Sequence, residues 1–163
     1  MEKKKVKKPI YKKWWFWAII VVVLVVALLP SDEEPEAAEP IDVQLSVEPN
    51  VNTEDGSVLF GVATNLPEDT KLMVSVKNDD GYTAQDNVVI LGNGKGFTSE
   101  FSDNGNALSG KYTVEVIMSL PQVQKESVRE IIGENGENLA GEFVKPSTSG
   151  ECNVICAEFE FEF

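Results

Sequence analysis

Close to its end the chain reads "GECNVICAEFEFEF", with two cysteines, Cys152 and Cys156, in a C-x3-C spacing. In an extended strand their Cα atoms would stand ~13 Å apart, beyond the ~7 Å a disulfide tolerates. A bridge therefore needs a turn or a helical kink across "CNVIC", and the last strand would then start after Cys156. In an oxidising exterior that bridge is favoured over free thiols, and two unpaired cysteines are the competing reading. A metal-binding pair is the third and weakest reading. Two cysteines are too few to define a disulfide framework.

Oxygen ligands are the other chemistry on offer. Acidic turns contain Glu54 and Asp55 ("NTEDG"), Asp79 and Asp80 ("NDDG"), Asp103 ("SDNGN"), and Glu134 and Glu137 ("GENGEN"). Calcium requires six or more oxygens converging at about 2.3–2.6 Å, and no single one of these turns supplies a full loop of that kind. Two neighbouring loops would have to combine, with Asp79, Asp80, Asp103, Glu134 and Glu137 as the candidates. Asp, Asn and Gly also populate turns for purely conformational reasons, so no metal and no cofactor is assigned. The chain has no histidine, which removes Ser-His-Asp and Cys-His mechanisms and the usual catalytic zinc site. Carboxylates for glycoside hydrolysis are numerous, but abundance is not a site. No tryptophan follows Trp17, and Tyr82 and Tyr112 are the only mid-domain rings placed to stack a sugar. A Lys–Asn isopeptide bond would need a core lysine, whereas Lys71, Lys77 and Lys111 fall at solvent-facing strand positions. The expectation is a protein without catalytic activity.

Positioning such residues falls to strands. From Ile41 onward the hydrophobic period is two. Val43, Leu45 and Val47 alternate with polar residues; Leu72, Val74 and Val76 do the same, as do Tyr112, Val114, Val116 and Met118. Val58 to Ala63 is apolar on both faces, which predicts a strand buried on both sides. Val88 to Leu91 is a short continuous apolar run, and Phe97 and Phe101 flank a polar middle. In "AEFEFEF" Phe159, Phe161 and Phe163 share one face and three glutamates the other. Asp55-Gly56, Asp80-Gly81, Asn93-Gly94, Asn104-Gly105 and Gly110 are turn signals that supply positive φ. One segment departs from this period: "SLPQVQKESVREIIG" predicts a short helix with Ser119 as N-cap, Gln122 as capping-box partner and Gly133 as its stop. Gln124, Val128, Ile131 and Ile132 would share its inner side. Residues 41–163 thus predict a mainly β fold, an antiparallel β-sandwich with one short helix.

The first forty residues have a different character. Seven lysines against one glutamate give the part before Trp14 a charge of +6, so the net −13 leaves −19 for all that follows. Trp14 to Leu29 carries no charge, proline or glycine, and as a helix it would extend roughly 24 Å against a hydrocarbon core of ~30 Å. Trp14, Trp15 and Trp17 suit the headgroup level, and Lys12 and Lys13 can snorkel to it. A cleavable signal peptide ending at Val25-Val26-Ala27 is the rival, but segment length and bulky flanks favour a retained anchor. The lysines place the N-terminus in the cytoplasm. This divides the chain into a basic head (1–13), a transmembrane signal-anchor (14–30), an acidic Pro-containing stalk (31–40) and an extracytoplasmic β domain (41–163). An acidic body disfavours nucleic acid as partner. The expected partners are the lipid bilayer, through residues 14–30, and an extracytoplasmic protein, peptide or envelope ligand.

With its lysine-rich head, "YKKWWFW", and a β region containing "NLPEDTKLMVSVKN", "KYTVEV" and "IIGENGENLAGEFV", the chain resembles a group of small membrane-anchored surface proteins of Gram-positive bacteria and their prophages. The resemblance covers the head and most of Val58 to Val144, and the Cys152/Cys156 pair lies outside it. It implies a cell-surface location and an immunoglobulin-like or transthyretin-like sandwich, and it brings no catalytic residue. The resulting expectation is an anchored binding module, with a structural or calcium-dependent surface protein as the alternative.

Overall fold

The computed structural model describes residues 39–163. The expected head, the membrane segment and all but the end of the stalk, with Lys12, Lys13, Trp14, Trp15 and Trp17, lie outside the described residues. Among the described residues no helix is long and apolar enough to cross a membrane.

The domain is mainly β. Its strands are β1 (Ile41–Asp42), β2 (Leu45–Val51), β3 (Val58–Thr64), β4 (Lys71–Lys77), β5 (Thr83–Val89), β6 (Lys95–Phe101), β7 (Lys111–Met118), β8 (Leu139–Ala140), β9 (Val144–Pro146) and β10 (Asn153–Glu162). Two antiparallel sheets, ordered β2-β3-β6 and β5-β4-β7-β10-β9, supply the architecture, and a short parallel pair joins β1 to β8. Alternation decides which side chains turn inward. Val58, Phe60 and Val62 of β3, Leu72, Val74 and Val76 of β4, and Tyr112, Val114, Val116 and Met118 of β7 are buried in one continuous core. Phe60 of the smaller sheet meets Phe161 and Phe163 of the larger at ring-centroid distances of 5.7 and 6.3 Å, an arrangement consistent with a β-sandwich.

Several expectations need correction. β3 is not buried on both sides: Leu59, Gly61 and Ala63 are only partly covered, and the ring of Phe97 lies against Gly61 on that outer face. The fifth strand comes earlier than the Val88–Leu91 run. It is the polar segment "TAQDNVV", held as an edge strand by its ladder to β4, and an edge strand buries little and needs few apolar residues. Phe97 and Phe101 end on opposite faces. The β3–β6 register passes from Leu59↔Glu100 to Gly61↔Phe97, so β6 carries one extra residue and reverses its facing at a bulge. Phe101 enters the core, while Phe97 remains 54% exposed. Side chains replace the ladder bonds lost there. The Phe60 N–H donates to Thr98 Oγ1 at 3.0 Å, and the Ser99 N–H donates to Asp86 Oδ2 at 2.6 Å. The Asp86 bond ties β6 to β5, which belongs to the other sheet.

The helix is shorter and differently capped. A 3-10 turn at Pro121–Val123 is followed by α1 (Glu126–Ile132), with Gln124 and Lys125 extended between them. Ser119 does not cap it, and Gln122 reaches Asn135 rather than closing a capping box. Gln124 explains the break. Its buried amide accepts the Lys71 N–H at 2.8 Å and donates to the Lys71 and Ser119 carbonyls at 3.0 and 2.9 Å. A side chain committed in this way to the first residue of β4 holds its own backbone out of a helix. Lys125, 2.7 Å from Asp69, adds a second tether. Gln124, Val128 and Ile132 are buried as expected, whereas Ile131 is 48% exposed.

Two outcomes follow from these tethers. Gln124→Leu leaves the Lys71 N–H without its acceptor and the Ser119 carbonyl without its side-chain donor, while the Lys71 carbonyl keeps the Ser119 N–H. It should cost about 2 kcal/mol in denaturant melts. Asp86→Asn should cost about 1 kcal/mol at neutral pH, since it removes a charge-assisted bond. The Ser99 N–H, then the Ser99 hydroxyl, hold the Asp86 carboxyl below its ordinary range. A lowered folded-state value means that the contribution is complete above the unfolded value of about 4 and is lost as pH falls through the lower folded one. The stability curves of the wild type and Asp86→Asn should therefore converge in strong acid.

Candidate functional site

The same alternation that fills the core presents the opposite residues of β4, β7 and β10 on the outer face of the five-stranded sheet. Register sets them in rows: Ser75, Glu115 and Glu158 in one, Lys77, Thr113 and Glu160 in the next, Lys111 and Glu162 beyond. Glu115 and Glu158 are direct cross-strand partners, a like-charge arrangement that destabilises a ladder. Lys77 answers both, with its Nζ 3.8 Å from a carboxylate oxygen of each. A depression of about 510 Å³ opens at the Lys77 end of this face, lined by Lys77, Asp79, Lys111, Thr113, Glu160 and Glu162. Its walls carry both signs of charge, which suits polar or charged groups of a partner better than an apolar small molecule.

The acidic turns separate into two regions. Asp79 and Asp80 lie in the β4–β5 connection, and Asp79 reaches the rim of the depression. Asp103 belongs to a tight turn in which Asp103 and Asn106 exchange both backbone bonds at 2.9 Å, with Asn104 and Gly105 at positive φ. Tyr82 links these two turns, since its hydroxyl donates to the Ser102 carbonyl at 3.3 Å. Burial, then the neighbouring Tyr112 and Asp103, raise the pKa of that hydroxyl. Glu134 and Glu137 follow α1, off the Met118 end of β7, away from the Lys77 end where Asp79 lies. Glu134 approaches Arg129 at 3.5 Å, and Glu137 accepts the Asn135 N–H at 2.8 Å. Bonds from its own and the Asn135 backbone N–H hold the Glu137 carboxyl below its usual range, so this carboxylate acts as a loop clasp. Among the described residues no group of three or more His, Cys, Asp or Glu is placed to hold a metal ion.

Both cysteines are free thiols. Cys152 is buried just ahead of β10, and Cys156 lies within that strand, so "CNVIC" is extended rather than folded back. The Cys156 Sγ sits on the outer face, 4.0 Å from Glu115 Oε1. Lys71 and Lys111 are exposed and Lys77 is bound to its two glutamates, as expected of solvent-facing strand lysines. What the sequence reading missed is the partnership of Lys77 with Glu115 and Glu158. The period-two glutamates of β10 were a visible sign of a charged face, but which residues oppose them depends on strand order. The chain matches no protein-family model, and comparison with curated proteins and with solved structures finds no match.

Lys77→Met should leave Glu115 and Glu158 facing one another uncompensated. The expected cost is about 1 kcal/mol or less, given the exposure of the groups. It should shrink at high salt and be largely recovered when Glu158→Gln is added, both read from denaturation midpoints.

Proposed function

We propose that the chain is a single-pass, membrane-anchored binding module without catalytic activity, whose β domain stands outside the cell. The observation that carries this reading is the order basic head, uninterrupted apolar block, acidic stalk, from Lys12 and Lys13 through Trp14–Leu29 to Asp32. Positive flanks retained in the cytoplasm put everything after the block on the far side. The strand order supports an immunoglobulin-like version of the fold. β2-β3-β6 facing β5-β4-β7-β10 corresponds to the A-B-E and C′-C-F-G layers of that architecture. Such domains work through loops and sheet surfaces, and the charged outer face of β4, β7 and β10 is the surface this chain offers. The likeness to small surface proteins of Gram-positive bacteria points to the same location.

A specific protease site inserted between Glu36 and Ala37 checks the topology. Protease added to spheroplasts should release the β domain into the medium and leave the N-terminal head with the cells. Release only after lysis would overturn the reading. The intact mass of the remaining cell-bound protein reports in the same experiment whether the apolar block is retained.

A further inference from the structure

The two layers of the domain are closed along one margin and open along the other. At the closed margin β5 and β6 lie together through the Asp86–Ser99 bond. Gly96 comes so close that a Cβ there would collide with Val88 and with the Val89 carbonyl oxygen. At the opposite margin β9 pairs with β10 only over Asn153–Ile155, and the Cys156 N–H makes one further bond, to the Phe143 carbonyl at 2.9 Å. Among the described residues no strand continues the sheet past that point.

Backbone direction along this stretch is set at both ends. Cys156 points its N–H away from β7, whereas Phe163 exchanges bonds with Gly110 on the β7 side, at 2.9 and 3.0 Å. Alternation then turns the N–H and C=O groups of Glu158, Glu160 and Glu162 outward, to the open edge. Their side chains project on the outer face at every second position and are exposed. On the inner side the same margin is thinly covered. Phe159, Phe161 and Phe163 are only half-buried. On β2, Pro49 and Val51 share the inward parity of the buried Leu45 and Val47, yet Pro49 is exposed and Val51 is 48% exposed. Pro49 is the cross-strand partner of Phe60, which in turn touches Phe161 and Phe163.

Backbone groups unpaired among the described residues, a glutamate stripe outside and incompletely covered apolar residues inside describe the template for one additional strand. The geometry points to the open edge of β10, from Glu158 to Glu162, as the binding site of an extended segment from another protein, one that alternates cationic and apolar residues. The backbone would join the ladder by strand addition, the cationic side chains would face the glutamates, and the apolar ones would close the gap between β10 and β2. A second copy is a poor occupant, because antiparallel pairing of β10 with itself sets glutamate against glutamate. Charge thus screens the edge against self-association and leaves it open to a basic strand. This assignment rests on the binding-module reading and names its ligand class.

The test uses the full-length chain in phosphatidylcholine nanodiscs, whose neutral lipid does not itself attract a basic peptide. The probes are a short capped peptide alternating lysine and valine, its glutamate–valine counterpart, and a peptide of the same lysine and valine composition arranged in two blocks. The alternating basic peptide should bind at least about tenfold more tightly than either control, and should weaken several-fold between about 50 and about 300 mM salt. Hydrogen exchange should show the amides of Glu158, Glu160 and Glu162 open in the free protein and protected with peptide bound. Glu160→Pro removes an outward N–H without touching the β7 ladder, so it should keep the melting temperature and lose at least about tenfold in affinity. Glu160→Lys should shift preference toward the glutamate–valine peptide. Equal binding of alternating and block peptides, wild-type affinity in a folded Glu160→Pro, or edge amides already protected without peptide would each overturn the proposal. Should a variant fail to fold, the wild-type exchange pattern and peptide preference decide alone. Because purified protein is used, failure here beside external release of the domain removes this site and leaves the anchored-module reading in place.

Discussion

The side chain of Phe60 is what joins the two layers. It is wholly buried, it lies at the middle of the smaller sheet, and its ring meets Phe101 at 5.8 Å within that sheet. Across the core it meets Phe161 and Phe163 of β10. Tilted and edge-on contacts of this kind add roughly 0.5–1.5 kcal/mol per pair beyond the burial of apolar area. Tyr112 extends the cluster through Phe163 at 5.8 Å and Tyr82 through Tyr112 at 5.6 Å, so one aromatic chain runs from the smaller sheet to the turn that carries Asp79 and Asp80. A two-layer β domain depends on contacts of this kind, because neither sheet can bury its apolar face alone.

The consequences for the surface are direct. Once Phe159, Phe161 and Phe163 turn inward toward Phe60, Glu158, Glu160 and Glu162 have no position but the outer face. The pairing of β10 with β7 then sets Glu158 against Glu115, and the pairing of β7 with β4 brings Lys77 within reach of both. The charged face is thus the reverse side of the aromatic core, produced by the same alternation. Its acidity is tempered by Lys77 at Glu115 and Glu158, whereas Glu160 and Glu162 form no ion pair among the described residues.

Sequence pattern carried the interior strands well. β4 and β7 were legible because each is buried on one face only, which leaves a clean alternation, and β10 because phenylalanine and glutamate mark its faces. The turns were legible for a local reason: Asp55-Gly56, Asp80-Gly81, Asn93-Gly94 and Asn104-Gly105 each place a glycine at positive φ. Legibility failed where a tertiary contact overrode the local pattern. The side chain of Gln124 abandons a helix for the backbone of Lys71, and no helical signal in "SLPQVQKESV" could report a partner 53 residues away. β5 buries so little that it has no apolar pattern to read. The bulge in β6 reverses Phe97 relative to Phe101, and its stabilising acceptor is Asp86 on a neighbouring strand.

By itself the sequence determined the local properties: period-two strands with glycine turns, an absence of histidine, and a division into basic, apolar and acidic parts that underlies the proposed anchor. Each of these depends on residues close together in the chain, and so each survives without knowledge of the fold. Tertiary structure alone decided which strands became neighbours, and with that the Glu115–Lys77–Glu158 cluster, the free thiol of Cys156 in an extended strand, and the open edge of β10. These depend on long-range register, where a shift of one residue would exchange the core and the surface.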